Sequence, residues 1–448
     1  MENYTGYLEY TDTQIGRVVD AVAASGELDN TLVIYIVGDN GASAEGGLEG
    51  TVNEIASLNG IQLGLPGLLA KFDEIGGPET EPHVPVGWAW AANTPFQWTK
   101  QIASHFGGTR NPMVVSWPKR IADKGGLRSQ FVHLIDIAPT ILDAAGIPEP
   151  QVVNGVAQKP IEGRSFVSTA ASATAPEVRT VQYFEMMGNR AIYKDGWVAA
   201  TRHGTPWLTA AESTGFDKDV WELYEVAKDF SEADDVAARN PGKLKELQAA
   251  FDVEARKYDV FPLDDRMTAR FDLALRPNAL TGLKSFSYGP GVNYIAESAT
   301  LNTHAVPFSI TAEVDSGAGA ADGVIVAMGG TTSGWSLYVK GGRPTFYYNF
   351  FEVAGYRAQS SAPLPKGKST VRVEFTPEAA GYGKPAVANV FVGGKQTASV
   401  RVEKTVPVGY GAEGLDIGMD NMSAVSPDYR PPFAFGGKVE SVTIAIEK

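Results

Sequence analysis

The sequence predicts an α/β domain followed by an all-β sandwich or jelly-roll domain. An apolar run without polar alternation, Leu32 to Gly38, is typical of a strand buried on both faces in a parallel sheet between helices. After about Pro277 the helical periodicity ends, and short alternating segments with glycine turns take its place. We therefore assign residues 1–277 to the α/β domain and residues 278–448 to the sandwich.

Length and composition limit the classes of function. The chain has 448 residues, enough for at least two domains, and a net charge of −14. With no dense Lys/Arg cluster, this charge argues against nucleic acid and anionic membrane surfaces as main partners. Cysteine is absent, which excludes disulfides, thiolate metal sites and cysteine nucleophiles. The sequence also predicts no transmembrane segment and no signal peptide at the N-terminus.

Periodicity and capping signals define the elements of the first domain. Helical spacing of apolar residues predicts a helix over 4–25 with no strand before it. Because a doubly wound sheet cannot be made from the few strands that follow, we expect the chain to be the latter part of a longer protein. Residues 41–95 are rich in Gly, Pro and Asn and predict a long functional loop. Strands are predicted at 113–117 and 131–135.

Further elements are predicted from turn and cap residues. Asp136 is expected to N-cap a helix that ends near Gly146, and residues 191–199 predict a hairpin with an Asp-Gly turn. A last large helix is predicted over 244–260. The strands expected in the sandwich are 308–314, 335–339, 369–375, 388–392 and 439–446.

A carboxylate and a carboxamide, Asp39 and Asn40, follow the apolar strand directly. Open α/β sheets place their ligands at the carboxyl ends of strands, and hard oxygens there suit a divalent cation such as Ca²⁺. The alternative is a type I′ hairpin turn at Asn40-Gly41. A hairpin needs a second strand at once, and residues 42–47 do not supply one, so the context favours the metal-ligand interpretation.

A second group of polar residues precedes the strand at 113. Lys100 and His105 lie just before Gly107-Gly108, and two adjacent glycines allow a close backbone approach. The lysine and the histidine can contact an anionic substrate. The alternative is a solvated lysine, a structural histidine and an ordinary turn, and spacing alone favours that alternative.

Other residues are weaker candidates for a site. His83 lies in the long loop, whereas His133 alternates with apolar residues and is expected to serve packing. Glu45 and Glu49 follow the Asp-Asn pair and can be extra ligands, although exposed loop acids are commoner. The aromatic cluster 347–351 can stack on carbohydrate, but alternate aromatics in a sandwich are more often core.

Taken together, these segments resemble the sulfatase family, especially bacterial arylsulfatases. The resemblance covers roughly residues 1–265 in the family's order. The segments that carry it are the first helix and strand with Asp39-Asn40-Gly41, Lys100 ahead of His105-Phe106-Gly107-Gly108-Thr109-Arg110-Asn111-Pro112, Asp136 to Leu142 with Gly146, and Trp221 to Glu225.

The resemblance implies an alkaline-phosphatase-like α/β fold, incomplete in this chain, and hydrolysis of sulfate esters at a Ca²⁺ site, with Mg²⁺ as an alternative ion. It implies that Asp39 and Asn40 ligate the metal and that Lys100 contacts the sulfate. His105, close to the same motif, is a second catalytic candidate. The β-rich region resembles the laminin-G/concanavalin-like sandwiches appended to some arylsulfatases.

One part of the family pattern is missing. Sulfatases carry a Cys or Ser in a C/S-x-P-x-R motif, towards the family's N-terminus, that is oxidised to formylglycine, the nucleophile. This chain has no Cys, and its one Ser-x-Pro-x-Arg sequence, Ser116 to Arg120, comes after the Asp39-Asn40 segment. The resemblance therefore implies an arylsulfatase-type sulfuric ester hydrolase as the full-length parent, with no activity expected of the chain alone. Its expected partner is a small-molecule or carbohydrate sulfate ester.

Two other functions remain open. The same scaffold serves phosphate and phosphonate monoester hydrolases, and the sandwich together with the missing nucleophile fits a non-catalytic carbohydrate-binding remnant. Exposed sheet faces would also favour self-association. The compartment stays open between a periplasmic or secreted parent and a cytoplasmic one.

Overall fold

The computed structural model describes residues 1–205, 207, 215–266, 280, 282–319 and 321–446, which form two compact units. The first unit comprises residues 1–48 and 84–265, and the second comprises residues 49–83 and 266–448. The boundary that the sequence predicts at 277 lies outside the described residues. Nothing in the sequence pattern predicted that residues 49–83 belong with the sandwich.

The α-helices of the described residues are α1 (Glu2–Ala24), α2 (Glu54–Leu58), α3 (Gly64–Ala70), α4 (Val86–Ala92), α5 (Phe106–Thr109), α6 (Ile137–Ala145), α7 (Val167–Ala171) and α8 (Pro241–Lys257). Across the ranges given above, no helix is both long enough and apolar enough to cross a membrane. Helices α2, α3 and α4 lie in the segment 41–95, so the expectation of a loop without regular structure there was wrong. Their short lengths, five to seven residues, explain why no helical periodicity was visible.

The strands of the first unit are β1 (Val33–Ile36), β2 (Met113–Ser116), β3 (Val152–Val153), β4 (Val156–Ala157), β5 (Val181–Met186), β6 (Asn189–Lys194), β7 (Trp197–Thr201) and β8 (Glu222–Tyr224). The apolar run after α1 forms β1, but β1 pairs antiparallel with β2, and all four of its residues are only half-buried. The prediction that β1 is buried on both faces, as part of a parallel sheet between helices, is therefore wrong for the described residues. A β-branched composition reports a preference for extended backbone, whereas burial depends on which neighbours are present.

The segment 131–135 is not a strand. It leads instead into a 3₁₀ turn over Leu134–Asp136, and the His133 side chain accepts a hydrogen bond from the Ile135 amide. Asp136 occupies the N-cap position of α6, as predicted. Its carboxylate caps the preceding turn and pairs with Arg179 at 2.6 Å, and it makes no side-chain cap bond to α6. The end of α6 at Gly146, whose φ is 67°, was predicted correctly.

Strands β5 to β8 form an antiparallel meander that packs against α8. The predicted hairpin is confirmed as β6 and β7, joined at Asp195 and Gly196, which both have positive φ as an Asp-Gly type I′ turn requires. Helix α8 confirms the last large predicted helix. Its buried side chains, Leu247, Phe251 and Ala255, pack against the meander in one hydrophobic cluster.

The second unit is an antiparallel β-sandwich, which confirms the fold predicted for the C-terminal region. Its strands are β9 (Ser285–Tyr288), β10 (Phe308–Asp315), β11 (Gly323–Gly329), β12 (Gly334–Lys340), β13 (Arg343–Phe350), β14 (Ala354–Gln359), β15 (Lys368–Pro377), β16 (Ala386–Val392), β17 (Lys395–Val402), β18 (Leu415–Ile417) and β19 (Lys438–Ile446). One sheet has the order β17-β16-β15-β10-β19-β9 and the other the order β14-β13-β12-β11-β18. Phe308, Trp335 and Phe346 are buried in the core of this unit. Tyr348, Phe350 and Phe351 are buried there too, so the core interpretation of the aromatic cluster is confirmed.

The segment 49–83 is joined to the sandwich by the side-chain carboxamides of two asparagines. The Asn53 side chain caps α2 by accepting from the Ala56 amide, and it donates to the Thr332 carbonyl at 3.1 Å. Asn53 is 1% exposed, so both contacts are shielded from water. Asn59 adds a second link by accepting from the Val408 amide at 2.8 Å.

Replacing Asn53 with Ala should destabilise the second unit by about 2 kcal/mol or more, because the helix cap is lost and the buried Thr332 carbonyl loses a donor. Faster amide hydrogen exchange in β11 to β13 would report this loss. The matched control is Leu58→Ala on the same helix, where the side chain is half exposed. Equal exchange in the two variants would contradict the assignment of 49–83 to the sandwich.

Candidate functional site

Asp39 and Asn40 lie on a turn that directly follows β1. Asp39 is exposed and Asn40 is half-buried, and the Asn40 carboxamide donates to Asp39 Oδ1 at 2.7 Å. With its amide turned so that nitrogen faces the Asn40 carbonyl, the Asn111 side chain donates to that carbonyl at 2.9 Å and accepts from the Asn40 amide at 3.1 Å. Because β1 pairs with β2 and not with the residues after Gly41, the hairpin alternative is wrong.

Three glycines bring this turn against the segment that precedes β2. The Gly41 amide donates to the Gly108 carbonyl at 3.1 Å. A Cβ atom on Gly41 would lie 1.6 Å from the Gly107 carbonyl oxygen, and one on Gly107 would lie 2.0 Å from the Gln97 carbonyl oxygen. Only glycine permits these contacts, which confirms the close approach that the Gly-Gly pair predicted.

Lys100 lies beside the same turn. Its amide donates to the Ala42 carbonyl at 3.1 Å, and its ammonium pairs with Glu45 Oε2 at 2.9 Å. Burial raises the pKa of Glu45, but hydrogen bonds from Lys100 and Ser43 outweigh it and lower that pKa overall. Glu45, a weaker candidate for the metal, is thus the ionised partner of Lys100.

The backbone around Lys100 is held in unusual conformations. Trp98 and Gln101, on either side of Thr99-Lys100, have φ values of 69° and 75°. Residues with a Cβ rarely adopt this left-handed region, and such residues concentrate at binding and catalytic sites. The hydrogen bond from Gln101 to Glu45 Oε1, 2.8 Å long, fixes the far side of the Lys100–Glu45 pair.

His105 is buried next to this segment, with 1% of its surface exposed. Nδ1 lies 2.8 Å from the Ser104 hydroxyl, and Nε2 lies 2.8 Å from Glu222 Oε2. Tyr224 donates to the same carboxylate oxygen at 2.7 Å, and the His105 bond is the largest cause of a lowered pKa at Glu222. With both ring nitrogens engaged by protein groups, this arrangement favours a positioning role for His105.

Glu232 is a buried carboxylate that the sequence did not indicate, because its run of small and acidic residues resembles a solvated turn. It is 0% exposed, and its Oε2 accepts from the Phe106 amide at 2.7 Å. Burial raises the pKa of Glu232 to about 8, against the opposing effects of the Phe106 amide and the Arg110 charge. The Arg110 guanidinium lies over the ring of Phe230, 4.2 Å from its centroid.

The remaining weaker candidates were His83, Glu49 and His133. His83 and Glu49 belong to the second unit. His133 caps the turn before α6.

Comparison with known proteins gives the family of the first unit. Residues 1–147 match the family model described as sulfatase, and residues 98–257 match the one described as N-sulphoglucosamine sulphohydrolase, C-terminal. This part of the chain belongs to the sulfatase family. The resemblance that the motifs indicated is therefore confirmed.

Two curated sulfatases are similar to this region. An uncharacterized sulfatase of Schizosaccharomyces pombe is 29% identical over 251 residues, covering 55% of this chain and 42% of that protein. An N-acetylglucosamine-6-O-sulfatase of Bacteroides thetaiotaomicron is 23% identical over 279 residues, covering 60% of this chain and 38% of that protein. The chain thus spans about two fifths of the length of these sulfatases.

The sandwich resembles laminin-G modules. Domains LG4-5 of the mouse laminin α1 chain match with 13% identity and a TM-score of 0.25, covering 37% of this chain and 42% of that one. The pairing of β9 to β19 establishes the sandwich architecture by itself.

In the region that matches the sulfatase model, Asp39 and Asn40 offer the type of ligand atom that a hard divalent cation prefers, but too few of them to complete its coordination. Asp39 and Asn40 present oxygens of the kind that Ca²⁺ prefers, and Asn40 must turn its carboxamide so that oxygen replaces nitrogen beside Asp39. Ca²⁺ takes about six to eight oxygens. Two protein ligands therefore account for a minority of such a coordination shell.

Replacing Gly41 with Ala should destabilise the first unit by about 3 kcal/mol or more, because the new methyl group meets backbone and not a flexible side chain. Urea unfolding followed by tryptophan fluorescence would measure this, since seven of the eight tryptophans lie in the first unit. Gly16→Ala on α1, where nothing lies within 4 Å, is the control and should be neutral or stabilising. Similar stabilities for the two variants would refute the glycine contact.

The first unit should lose stability as pH rises from about 4.5 to about 8. Glu232 keeps its proton in the folded state over this window and loses it in the unfolded state, so its stabilising contribution is complete below the window and gone above it. Glu232→Gln should reduce this slope, because the amide stays neutral and can still accept from Phe106. Urea unfolding at a series of pH values, with Glu9→Gln on exposed α1 as control, tests this; an unchanged slope in Glu232→Gln would contradict it.

Proposed function

We propose that the whole protein is an arylsulfatase-type sulfuric ester hydrolase and that this chain supplies its metal-ligand pair and its sulfate-contacting lysine. The observation that supports this most directly is that backbone hydrogen bonds connect the Asp39-Asn40 turn to the segment that contains Lys100. Gly41 bonds to Gly108 and Lys100 bonds to Ala42, so Asp39-Asn40 and Lys100 are attached to one hydrogen-bonded unit of backbone.

The chemistry of the substrate explains why these residue types are needed. A sulfate monoester is a poor electrophile whose negative charge is spread over its oxygens, so its hydrolysis requires positive charge placed at those oxygens. Asp39 and Asn40 would hold Ca²⁺, or Mg²⁺ in its place. When bound, the cation supplies Lewis-acid stabilisation of the developing charge.

Lys100 is suited to contact the sulfate because Glu45 fixes its position. An ammonium group has three donors, and the bond to Glu45 uses one of them. The remaining donors can contact a sulfate oxygen while Glu45 holds the amine in place. His105 positions the segment through Glu222, and the proposal gives it no contact with the substrate.

The nucleophile of the proposed reaction lies outside this chain, which has no Cys. Its one Ser-x-Pro-x-Arg sequence begins at Ser116, which pairs with Val33 at the end of β1 opposite to Asp39 and Asn40. The proposed activity, formylglycine included, therefore belongs to the whole protein. The similarity to the Bacteroides N-acetylglucosamine-6-O-sulfatase supports sulfate esters of sugars as substrates alongside aryl sulfates.

The proposal predicts that Lys100→Ala lowers kcat/KM for 4-nitrophenyl sulfate by about 10²–10³-fold, the usual effect of removing a group that stabilises transition-state charge. The assay uses the protein extended at its amino end to the length of its sulfatase relatives. Lys119→Ala, at an exposed position, is the matched control and should keep full activity. Equal losses of activity in both variants would contradict the role of Lys100. If the protein hydrolysed 4-nitrophenyl phosphate but not 4-nitrophenyl sulfate, the substrate would be a phosphate ester and not a sulfate ester.

A further inference from the structure

A cavity of about 440 Å³, largely open to solvent, lies in the first unit and is lined by Val86, Gly87, Trp90, Ala91 and Trp207. We propose that this cavity binds a sugar ring of a carbohydrate sulfate ester. The inference rests on the proposed function and deepens it, because it names the substrate class and the residues that would recognise it.

The Trp98 ring contacts the rings of both Trp90 and Trp207, the two tryptophans that line the cavity. The Trp90 and Trp98 ring centroids lie 5.1 Å apart, and those of Trp98 and Trp207 lie 6.1 Å apart. Trp90, on α4, is 36% exposed. Aromatic faces that line a cavity of several hundred Å³ are typical of small-molecule sites.

The side chain of Asn93 links the backbone of Trp98 to the segment that carries the proposed sulfate site. Asn93 donates from Nδ2 to the Trp98 carbonyl at 3.0 Å and accepts at Oδ1 from the Ala42 amide at 2.9 Å. Trp98 also precedes Lys100 by two residues. A ligand ring on the tryptophans and an anionic group at Lys100 would therefore contact the same short stretch of chain.

The position of Trp98 is strained, which favours a binding function over simple packing. Its φ of 69° is rare for a bulky residue, and a Cβ atom on Gly107 would lie 2.3 Å from its carbonyl oxygen. Gly107 is the residue on which Gly41 also packs. The glycine contact that supports the Asp39-Asn40 turn thus supports the Trp98 backbone as well.

The charges around the rings favour a sulfated sugar over a neutral apolar ligand. The Arg202 guanidinium lies 4.8 Å from the Trp98 ring centroid, and it can donate to hydroxyl or sulfate oxygens at the edge of a ring. A pyranose combines an apolar C–H face, which stacks on indole, with polar groups at its rim. An unsubstituted aryl ring has an apolar face but lacks the polar groups at its edge.

Binding to the 448-residue chain tests the proposal without any need for hydrolysis. The probes are glucose 6-sulfate, galactose 6-sulfate and N-acetylglucosamine 6-sulfate, with phenyl sulfate for comparison, and the measurement is isothermal titration calorimetry. We expect at least one sugar sulfate to bind. Trp90→Ala and Trp207→Ala should each weaken it about 5–10-fold, in line with the loss of one aromatic contact.

Trp88→Ala is the matched control, because Trp88 lies on the same helix, is 52% exposed and does not line the cavity. It should bind as the wild type does, and far-UV circular dichroism checks that each variant is folded. Equal affinity in Trp90→Ala and Trp88→Ala, binding of none of the three sugar sulfates, or a dependence on Trp90 for phenyl sulfate alone would each overturn the proposal. Because no catalysis is measured, failure here is distinguishable from failure of the proposed hydrolase activity.

Discussion

The contact between Gly41 and the Gly107-Gly108 pair is the constraint on which the candidate site depends. Backbone meets backbone here, with the Gly41 amide on the Gly108 carbonyl and no room for a Cβ atom on Gly41 or Gly107. The turn that bears Asp39 and Asn40 is thereby placed next to the segment that bears Lys100. Since the contact involves main chain, its geometry does not depend on the rotamers of flexible side chains, which suits a site that must hold charged groups in register.

Carboxylates organise the segment that carries the lysine. Glu45 pairs with Lys100, Glu222 holds the buried His105, and Glu232 accepts from the Phe106 amide. Each acid fixes a different point between residues 100 and 106, and burial ranges from the partly exposed Glu45 to the fully buried Glu232. Fixed partners of this kind preorganise a site, because little rearrangement is needed when an anion arrives.

The sequence predicted the local elements well and their surroundings less well. Helix α1, the β6–β7 hairpin, α8 and the sandwich strands follow from periodicity and turn chemistry, which are local properties. The parallel sheet around β1 was wrong because burial depends on neighbours that a strand's own residues do not specify. The Gly-Gly pair signalled a close approach, but nothing local identified Gly41 as its partner, Glu45 as the counter-ion of Lys100 or Glu232 as buried. The link of Asn53 to Thr332 joins residues 279 positions apart, beyond the reach of any pattern in one segment.

The central claim is that Asp39 and Asn40 bind a cation next to the anion that Lys100 contacts. The most direct test is isothermal titration calorimetry of the 448-residue chain with calcium, in the presence and absence of inorganic sulfate. The account predicts weak binding of one Ca²⁺ that becomes tighter when sulfate is present, with the coupling lost in both Asp39→Ala and Lys100→Ala, because ligands that share a site raise each other's affinity reciprocally. Calcium binding that is unaffected by sulfate, or that is the same in Asp39→Ala as in the wild type, would contradict it.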